Sequence, residues 1–439
     1  MRVAWAAAAA LLLVASCPAV ASAVPSASPL GPLTPTEQHA RCARPVAAPA
    51  TDIPAGHDLL DVAAAHQFSR GEGVTVAVID TGVTPHPRLP GLVAGGDYVS
   101  GGDGLSDCDV HGTLVAGIIA ARNGPDDGFV GVAPAARIVS IRQSSGAFRA
   151  KTSRTANAAE ATVGVGYGPL ATLAKAIVRA VDLGADVVNI SETACLPPSD
   201  ALGDDSVGQA LQYALAKDVV VVAAAGNLAE ATSCREQNPD PVTDIKTVAT
   251  PARFAPLVVT VGAAQASDGT AASFSLRGPW VSVGAPGTDV VSIAPAVGGP
   301  RPVYALAGAD GANPLAGTSY AAAYVAGTVA LVRSRFPELS AAEVIARIVS
   351  TAHGGGHDGA LGAGVVDPVA ALTAHLPPRP DPAVGHAVDA PSPPDRAPGG
   401  SGRILITATL AVIVLAVSWR FARAAVPVAT RTSTSPRRW

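Results

Sequence analysis

Charged residues are scarce in this sequence of 439 residues. Asp, Glu, Lys and Arg make up only 15% of it, where a soluble domain carries roughly 25%. The scarcity does not indicate a disordered chain, because 49% of the residues are hydrophobic and disordered chains are poor in them. The 45 glycines and 38 prolines form no Gly-X-Y repeat, which excludes a collagen-like protein. An excess of basic residues is lacking too, since the net charge is −4, so no nucleic-acid partner is predicted.

The N-terminus has the three parts of a secretory signal peptide. Arg2 is followed by the apolar run Val3–Val14 and then by Ala21-Ser22-Ala23, a cleavage site of small residues. We expect cleavage after Ala23, which makes residues 1–23 a signal peptide. The alternative is a membrane anchor that stays, but the apolar run is too short to span a bilayer comfortably.

A second apolar run lies near the C-terminus, at Ile404–Trp419, and contains no charged residue. At 1.5 Å per residue it covers about 24 Å of a ~30 Å hydrocarbon core, but flanking arginines can snorkel, so a transmembrane helix over 403–425 is predicted. A buried core helix is the alternative, although the run is uniformly apolar instead of amphipathic. The tail 426–439 is basic, and the positive-inside rule assigns it to the cytoplasm and the bulk of the chain to the outside.

Cysteine is sparse. Of the five cysteines, Cys17 leaves with the signal peptide. Those that remain are Cys42, Cys108, Cys195 and Cys234. An oxidising exterior favours two disulfides over buried free thiols, and four cysteines allow three pairings between which the sequence does not choose.

Short apolar runs rich in β-branched residues recur along the chain and are typical of buried parallel strands. The first is Gly73–Ile79, which leads into Asp80; the others are 137–141, 187–190, 219–224 and 257–261. Helical patterns separate them, at 111–121, 170–183, 206–217 and 319–335. This alternation predicts an α/β fold in which a parallel sheet is sandwiched by helices.

Three segments interrupt or flank this pattern. Residues 24–70 are rich in Pro and Ala with little periodicity and form an N-terminal extension. Residues 144–169 are small and polar, which predicts a long inserted loop that is either functional or simply a protease-sensitive surface insert. Residues 376–402 are Pro-rich and predict a semi-rigid tether, at most about 80 Å long, between an ectodomain at 71–375 and the membrane.

Three short motifs stand out together. They are Asp80-Thr81-Gly82 at a strand end, His111-Gly112-Thr113 at a helix start and Gly317-Thr318-Ser319-Tyr320-Ala321 at a helix start. Each alone has an ordinary explanation, as a turn former, a helix-terminal histidine or an N-cap. Together, Asp80, His111 and Ser319 supply the carboxylate, the imidazole base and the hydroxyl of nucleophilic catalysis. The carboxyl ends of parallel strands and the N-termini of helices meet at one edge of the sheet, so we expect these groups in one site.

The order Asp, His, Ser with these flanking residues resembles the subtilisin-like serine proteases, over about residues 71–372. Residues 222–227 (VAAAGN) are similar to the family's strand that leads into its oxyanion-hole asparagine, so the resemblance implies that Asn227 and the N–H of Ser319 stabilise the tetrahedral intermediate. The alternative for Asn227 is a plain turn residue. The resemblance also assigns six residues to substrate binding: Ser191, Glu192 and Thr193 on the substrate backbone, and Ala224, Ala225 and Gly226 in the wall of the first specificity pocket.

The whole arrangement resembles the mycosins, membrane-anchored subtilases of actinobacterial type VII secretion systems. It implies an extracytoplasmic serine endopeptidase without a cofactor, held at the cytoplasmic membrane, which processes secreted protein beside a type VII secretion membrane complex. The alternative is a mainly structural component of that complex, with proteolysis dispensable for transport. The resemblance further implies that the extension wraps the catalytic domain, held by disulfides Cys42–Cys108 and Cys195–Cys234. The extension is too short to fold alone as an inhibitory propeptide, so obligatory activation is not expected.

Two other clusters invite a metal interpretation that we do not adopt. The acidic one comprises Asp97, Asp103, Asp107 and Asp109; its spacing fits no EF-hand loop, and a solvated loop beside His111 is the simpler explanation. The other, His353 and His357, lies in a Gly-rich loop that fixes no ligand geometry. No metal site is therefore predicted.

Overall fold

The structure is a computed structural model of the chain, and it describes residues 30–48, 53–125, 127–151, 162–163, 166–199, 203–229, 234–295 and 301–376. The predicted signal peptide, the transmembrane helix at 403–425, the tail at 426–439 and nearly all of the linker lie outside the described residues. Within the described ranges, every helix is too short or too polar to cross a bilayer.

A nine-stranded sheet forms the centre of the described part. From edge to edge its order is β15 (His353–Asp358), β16 (Gly362–Val365), β12 (Val283–Pro286), β11 (Val259–Ala264), β9 (Val220–Ala224), β7 (Val187–Ile190), β3 (Thr75–Asp80), β5 (Arg137–Arg142) and β4 (Val93–Asp97). Neighbouring strands run parallel, apart from β15 against β16. The prediction of a mostly parallel α/β sheet is confirmed.

Helices cover both faces of the sheet because alternate residues of each buried strand point to opposite sides. The long helices are α3 (His111–Ala120), α4 (Leu170–Asp182), α5 (Asp205–Ala216), α6 (Thr318–Arg335) and α7 (Ala341–Thr351), with the short α8 (Pro368–Thr373) after them. Val76 and Val78 of β3 belong to the core that α3 and α6 also line. Ala77 and Ile79 belong to the opposite core, with α4 and α5. The helix α6 is buried along almost its whole length, which explains its apolar residues on every side.

The N-terminal extension contains more regular structure than its sequence indicates. It holds β1 (Thr36–Gln38), β2 (Pro45–Ala47), α1 (Ala55–Leu59) and α2 (Val62–Ala65). Elements of three to five residues are too short to show a periodicity, which is why the sequence analysis did not resolve them.

Short strands attach this extension to the domain. The strand β1 pairs with β6 (Phe148–Ala150) of the inserted segment. The strand β2 pairs with β13 (Val303–Gly308), which forms a hairpin with β14 (Gly311–Pro314). The described part of the inserted loop at 144–169 is thus partly a β-strand, fixed by the extension that lies against it.

Two disulfides are present. Cys42–Cys108 joins the extension to the segment that leads into α3, and Cys195–Cys234 joins β8 (Ala194–Leu196) to the segment after β9. The strand β8 also pairs with β10 (Val248–Thr250), which precedes a short 3-10 helix at Ala252–Phe254. The pairing of the four cysteines is the one that the family resemblance implies.

Candidate active site

The carboxyl end of β3 and the N-terminus of α3 bring Asp80 and His111 together. Asp80 is the last residue of its strand and fully buried, and His111 is the first residue of its helix. The Nδ1 atom of His111 lies 2.7 Å from Oδ1 of Asp80. Since an ionised carboxylate only accepts hydrogen bonds, this contact assigns a proton to Nδ1 and leaves Nε2 to act as a base.

Asp80 is itself held in place by its neighbour in the chain. The backbone N–H and the hydroxyl of Thr81 lie 2.7 and 3.2 Å from the same Oδ1 atom. The N–H of Gly112 in turn donates to the Thr81 hydroxyl at 2.9 Å, which ties the end of β3 to the first turn of α3. A side chain at Gly112 would collide with the carbonyl oxygen of Gly82, since its Cβ would lie 2.1 Å away. Gly112 therefore permits the close approach of the two segments.

Ser319 and Asn227 meet around Gly317, just before the N-terminus of α6. A Cβ atom placed on Gly317 would lie 3.0 Å from Oγ of Ser319 and 3.3 Å from Nδ2 of Asn227. The hydroxyl and the amide nitrogen therefore border one small space. Oδ1 of Asn227 accepts hydrogen bonds from the N–H and the hydroxyl of Thr318, at 2.8 and 3.0 Å, which fixes the orientation of the amide.

The N-terminus of α6 also lies beside His111. Tyr320, directly after Ser319, packs against the imidazole with ring centroids 5.4 Å apart. Ser191, after β7, donates from its hydroxyl to the carbonyl oxygen of Ser319 at 3.0 Å, and Asn189 donates to that hydroxyl at 2.7 Å. The three predicted motifs are thus brought to one edge of the sheet.

The segments predicted to bind substrate follow two neighbouring strands, β7 and β9. Ser191, Glu192 and Thr193 follow the first, and Ala224, Ala225 and Gly226 lie at the end of the second. The Thr193 hydroxyl reaches the carbonyl oxygen of Ala224 at 3.4 Å, so the two segments face each other. A Cβ on Gly226 would lie 3.5 and 3.6 Å from the sulfur atoms of the Cys195–Cys234 disulfide, which therefore packs directly against this segment.

Acidic side chains surround His111 and shift its pKa. Burial alone lowers the pKa of His111, but the carboxylates of Asp80 and Glu192 outweigh burial and raise the pKa above its usual value. Oε1 of Glu192 lies 3.8 Å from Nδ1 of His111. Burial raises the pKa of Glu192 in turn, while His111 opposes the rise.

The acidic cluster before α3 corrects one expectation. The explanation as a solvated loop is wrong for Asp97 and Asp107, which are buried. Asp107 accepts hydrogen bonds from the N–H and hydroxyl of Thr113, at 2.9 and 2.7 Å, and contacts the Thr81 hydroxyl at 2.9 Å. Burial raises the pKa of Asp107 to about 6.

Asp107 caps the N-terminus of α3 in place of the residue at the N-cap position. That residue is Val110, whose side chain offers no acceptor to the first turn of α3. Sequence reasoning missed Asp107 because the acceptor stands upstream of the usual cap position. The only available signal is an acidic residue shortly before an uncapped helix start.

Within the described ranges, one cluster contains three side chains of types that can bind a metal ion. They are Asp80, His111 and Glu192, and one possible ligand atom of each lies within 4.8 Å of the others. The 2.7 Å between His111 and Asp80 is the distance of a shared proton. Ligands of a tetrahedral zinc ion lie about 3.3 Å apart, given bonds of about 2.0 Å. The geometry is therefore that of an acid–base pair.

Residues 71–364 match the family model described as the subtilase family, Peptidase_S8. The chain belongs to the subtilase family. Mycosin-1 of Mycobacterium tuberculosis (strain ATCC 25618 / H37Rv) is 46% identical to this subtilase over 416 residues, which are 89% of this chain and 92% of that protein. This relationship assigns the chain to the mycosins, and it is a subtilisin-like serine endopeptidase.

Two solved structures extend the comparison. The crystal structure of MycP1 from the ESX-1 type VII secretion system has 44% identity and a TM-score of 0.75, covering 81% of this mycosin and 95% of that chain. A chain in the structure of an intact ESX-5 inner membrane complex has 40% identity and a TM-score of 0.73, covering 92% of this chain and 98% of that one.

Proposed function

We propose that this subtilase cleaves proteins with Ser319 as nucleophile, His111 as general base and acid, and Asp80 as the group that orients His111. The 2.7 Å hydrogen bond between Asp80 and His111 is the observation that carries this proposal. It holds the imidazole in the tautomer whose Nε2 atom accepts a proton. The Ser319 hydroxyl lies at the N-terminus of α6, where the helix dipole favours negative charge.

The reaction follows from these roles. Ser319 Oγ attacks the scissile carbonyl carbon while His111 Nε2 takes the hydroxyl proton. The negative oxygen of the tetrahedral intermediate accepts hydrogen bonds from the Asn227 amide and the Ser319 N–H. The intermediate collapses as His111 gives its proton to the leaving amine, which yields an acyl-enzyme. A water molecule then attacks the acyl-enzyme in place of the Ser319 hydroxyl, with His111 again as base. The carboxylic acid product leaves and the Ser319 hydroxyl is restored.

Covalent labelling tests these assignments directly. A fluorophosphonate probe should label the wild-type chain, and labelling should vanish in Ser319→Ala and fall sharply in His111→Ala. Ser334→Ala is the matched control, because this serine lies on the same helix α6 near its other end. Undiminished labelling of Ser319→Ala would show that another residue is the nucleophile.

We further infer that the enzyme works outside the cytoplasm as a membrane-anchored component of a type VII secretion system. The signal peptide at 1–23, the apolar segment at 403–425 and the basic tail at 426–439 support secretion of the ectodomain and one membrane span. The likeness to MycP1 from the ESX-1 type VII secretion system and to a chain of the ESX-5 inner membrane complex supports the association with a secretion system. Protease protection of a C-terminal tag in intact cells tests the orientation, since a cytoplasmic tail is inaccessible to external protease.

A structural role in the secretion complex is the second candidate, favoured by the likeness to a chain of an intact inner membrane complex. The two roles separate in a strain that lacks the gene. Complementation with Ser319→Ala restores secretion if the ectodomain mainly stabilises the complex. It fails to restore secretion, although the variant is present at the normal level, if proteolysis of a secreted protein drives transport.

A further inference from the structure

His111 lies between two carboxylates, whereas the proposed mechanism uses one. Asp80 bonds its Nδ1 atom at 2.7 Å, and Glu192 approaches the same nitrogen to 3.8 Å. Glu192 is two residues beyond the end of β7, and only 14% of its side chain is exposed. Its backbone belongs to the segment proposed to pair with substrate, but nothing in that role requires an acid beside the imidazole.

A carboxylate sheltered from water is costly unless it has a partner. Glu192 either remains ionised beside a protonated imidazole, with the Ser144 hydroxyl as a further stabilising partner, or takes up a proton itself. The two groups act on each other in the expected senses, since Glu192 raises the pKa of His111, while His111 opposes the rise that burial causes in the pKa of Glu192. The proton balance of Glu192 is thereby coupled to that of the catalytic base.

The other titratable groups around His111 and Glu192 come from each element packed against them, and none of these groups supplies a compensating cation. Asp80 at the end of β3 and Asp107 in the segment before α3 act on His111, Asp109 in that segment acts on Glu192, and Tyr320 lies on α6. Burial raises the pKa of Tyr320 far above the neutral range, so its hydroxyl stays uncharged. Asp107 is occupied with Thr113, and Asp109 accepts hydrogen bonds from Ser145 and Ala147 of the inserted segment. Glu192 is thus the acid, besides Asp80, whose side chain is directed at the imidazole.

We propose that Glu192 is a positioning residue whose carboxylate stabilises the imidazolium form of His111 and so sets the acid limit of catalysis. The inference rests on the proposed role of His111 as general base. The stabilisation acts in two directions. First, the carboxylate favours the imidazolium that forms when Ser319 is deprotonated. Second, it raises the pH at which the resting imidazole takes up a proton from solvent, and the protonated imidazole is inactive as a base.

The test is the pH dependence of fluorophosphonate labelling, measured on the full-length chain in detergent. Glu192→Gln removes the charge and keeps the shape. Its acid limb should move to lower pH by about one unit, because a charge about 4 Å from the imidazole is lost. The rate at the alkaline plateau should fall several-fold. Glu192→Asp keeps the charge and should retain an acid limb close to that of the wild type.

Glu338→Gln is the matched control. Glu338 is exposed and lies beyond the C-terminal end of the 18-residue helix α6, about 25 Å from Ser319. The Glu338→Gln variant should leave both the acid limb and the alkaline plateau of the labelling profile unchanged. An acid limb that stays in place in Glu192→Gln, or that moves equally in Glu192→Gln and Glu192→Asp, would overturn the proposal, because packing alone would then account for the effect.

A second measurement does not depend on turnover. In the full-length chain with ¹³C-labelled histidine, the resonance of His111 is identified by its loss in His111→Ala, and its pKa is read from the titration. The pKa should be lower in Glu192→Gln than in the wild type, and an equal pKa would refute the inference. Absence of labelling in the wild type would instead count against the proposed triad, and the ring titration would still decide the role of Glu192.

Discussion

His57 should make the enzyme sensitive to acid. It lies in α1 of the N-terminal extension and is almost fully buried. Its Nε2 atom contacts the carbonyl oxygen of Val130 at 2.5 Å, and its Nδ1 atom contacts the hydroxyl of Tyr324 at 3.1 Å. A carbonyl only accepts, so Nε2 carries a proton, and burial disfavours the second proton that would charge the ring. The rings of Phe129 and Tyr324 flank it at 5.3 and 5.4 Å, so aromatic side chains surround the imidazole.

The size of the stability loss in acid follows from the pKa shift of His57. Burial lowers the pKa of His57 from 6.5 to about 4, although the hydrogen bond to Val130 opposes it. The unfolded chain therefore binds a proton as the pH falls below 6.5, while the folded chain does not until about pH 4. Stability contributed by the neutral ring is present above pH 6.5 and is lost toward pH 4. Between pH 7.5 and pH 4.5 the loss in the free energy of unfolding is roughly 2–3 kcal/mol.

Glutamine at this position separates the titration from the contacts. In His57→Gln the amide can donate to Val130 and accept from Tyr324, but it does not titrate. Urea unfolding at pH 7.5 and pH 4.5 should therefore show a smaller loss of stability at acid pH in His57→Gln than in the wild type, by roughly 2–3 kcal/mol. His39→Gln, in an exposed part of the same extension, should show the wild-type loss. Equal losses in His57→Gln and the wild type would refute the assignment of a neutral, buried ring.

Three further predictions concern the site and its supports. Asn227→Ala should lower kcat about 10²–10³-fold, the loss known for this kind of amide in a subtilisin, with little change in KM, whereas the exposed Asn313→Ala should leave both unchanged in a peptide cleavage assay. Asp107→Ala should lower the free energy of unfolding by about 1–2 kcal/mol, because the first turn of α3 loses its acceptor, and Asp107→Asn should lose less, because its amide oxygen still accepts. Replacing Cys42 and Cys108 together by Ser should cost roughly 2–4 kcal/mol in the same measurement, and reductant should then have a smaller effect on the variant than on the wild type.

Five of the nine strands of the central sheet were predicted, namely β3, β5, β7, β9 and β11, because a strand buried on both faces must be apolar at every position. The strands β4, β12, β15 and β16 were not predicted. The run predicted at 73–79 is observed as Thr75–Asp80, and that predicted at 187–190 has identical bounds. The end of β3 also has a reason in the sequence, since Asp80 is the first residue of that run that carries a charge. Because strand ends and helix starts meet at one edge, placing the elements also placed Asp80, His111 and Ser319.

The extension was less predictable for a physical reason. Its strands β1 and β2 are three residues long and exist because distant partners, β6 and β13, offer free edges. His57 shows the same dependence: in the sequence it is one histidine in a short helix, and its neutrality follows from Val130 and Tyr324, which are 73 and 267 residues away. Local periodicity carries no information about such contacts.

The acidic residues around His111 have roles that the sequence motifs predict only in part. The proposed reaction uses one carboxylate, that of Asp80, and the sequence motif identifies it. Asp107 serves the helix that carries His111, and Asp109 holds Ser145 and Ala147 at the base of the inserted segment. In a chain with only 15% charged residues, acids gathered at one imidazole require individual compensation, and the hydrogen bonds of Asp107 and Asp109 supply it locally. Glu192 is compensated by His111 itself, together with the Ser144 hydroxyl. Its charge therefore acts on the chemistry, whereas the charges of Asp107 and Asp109 act mainly on the fold.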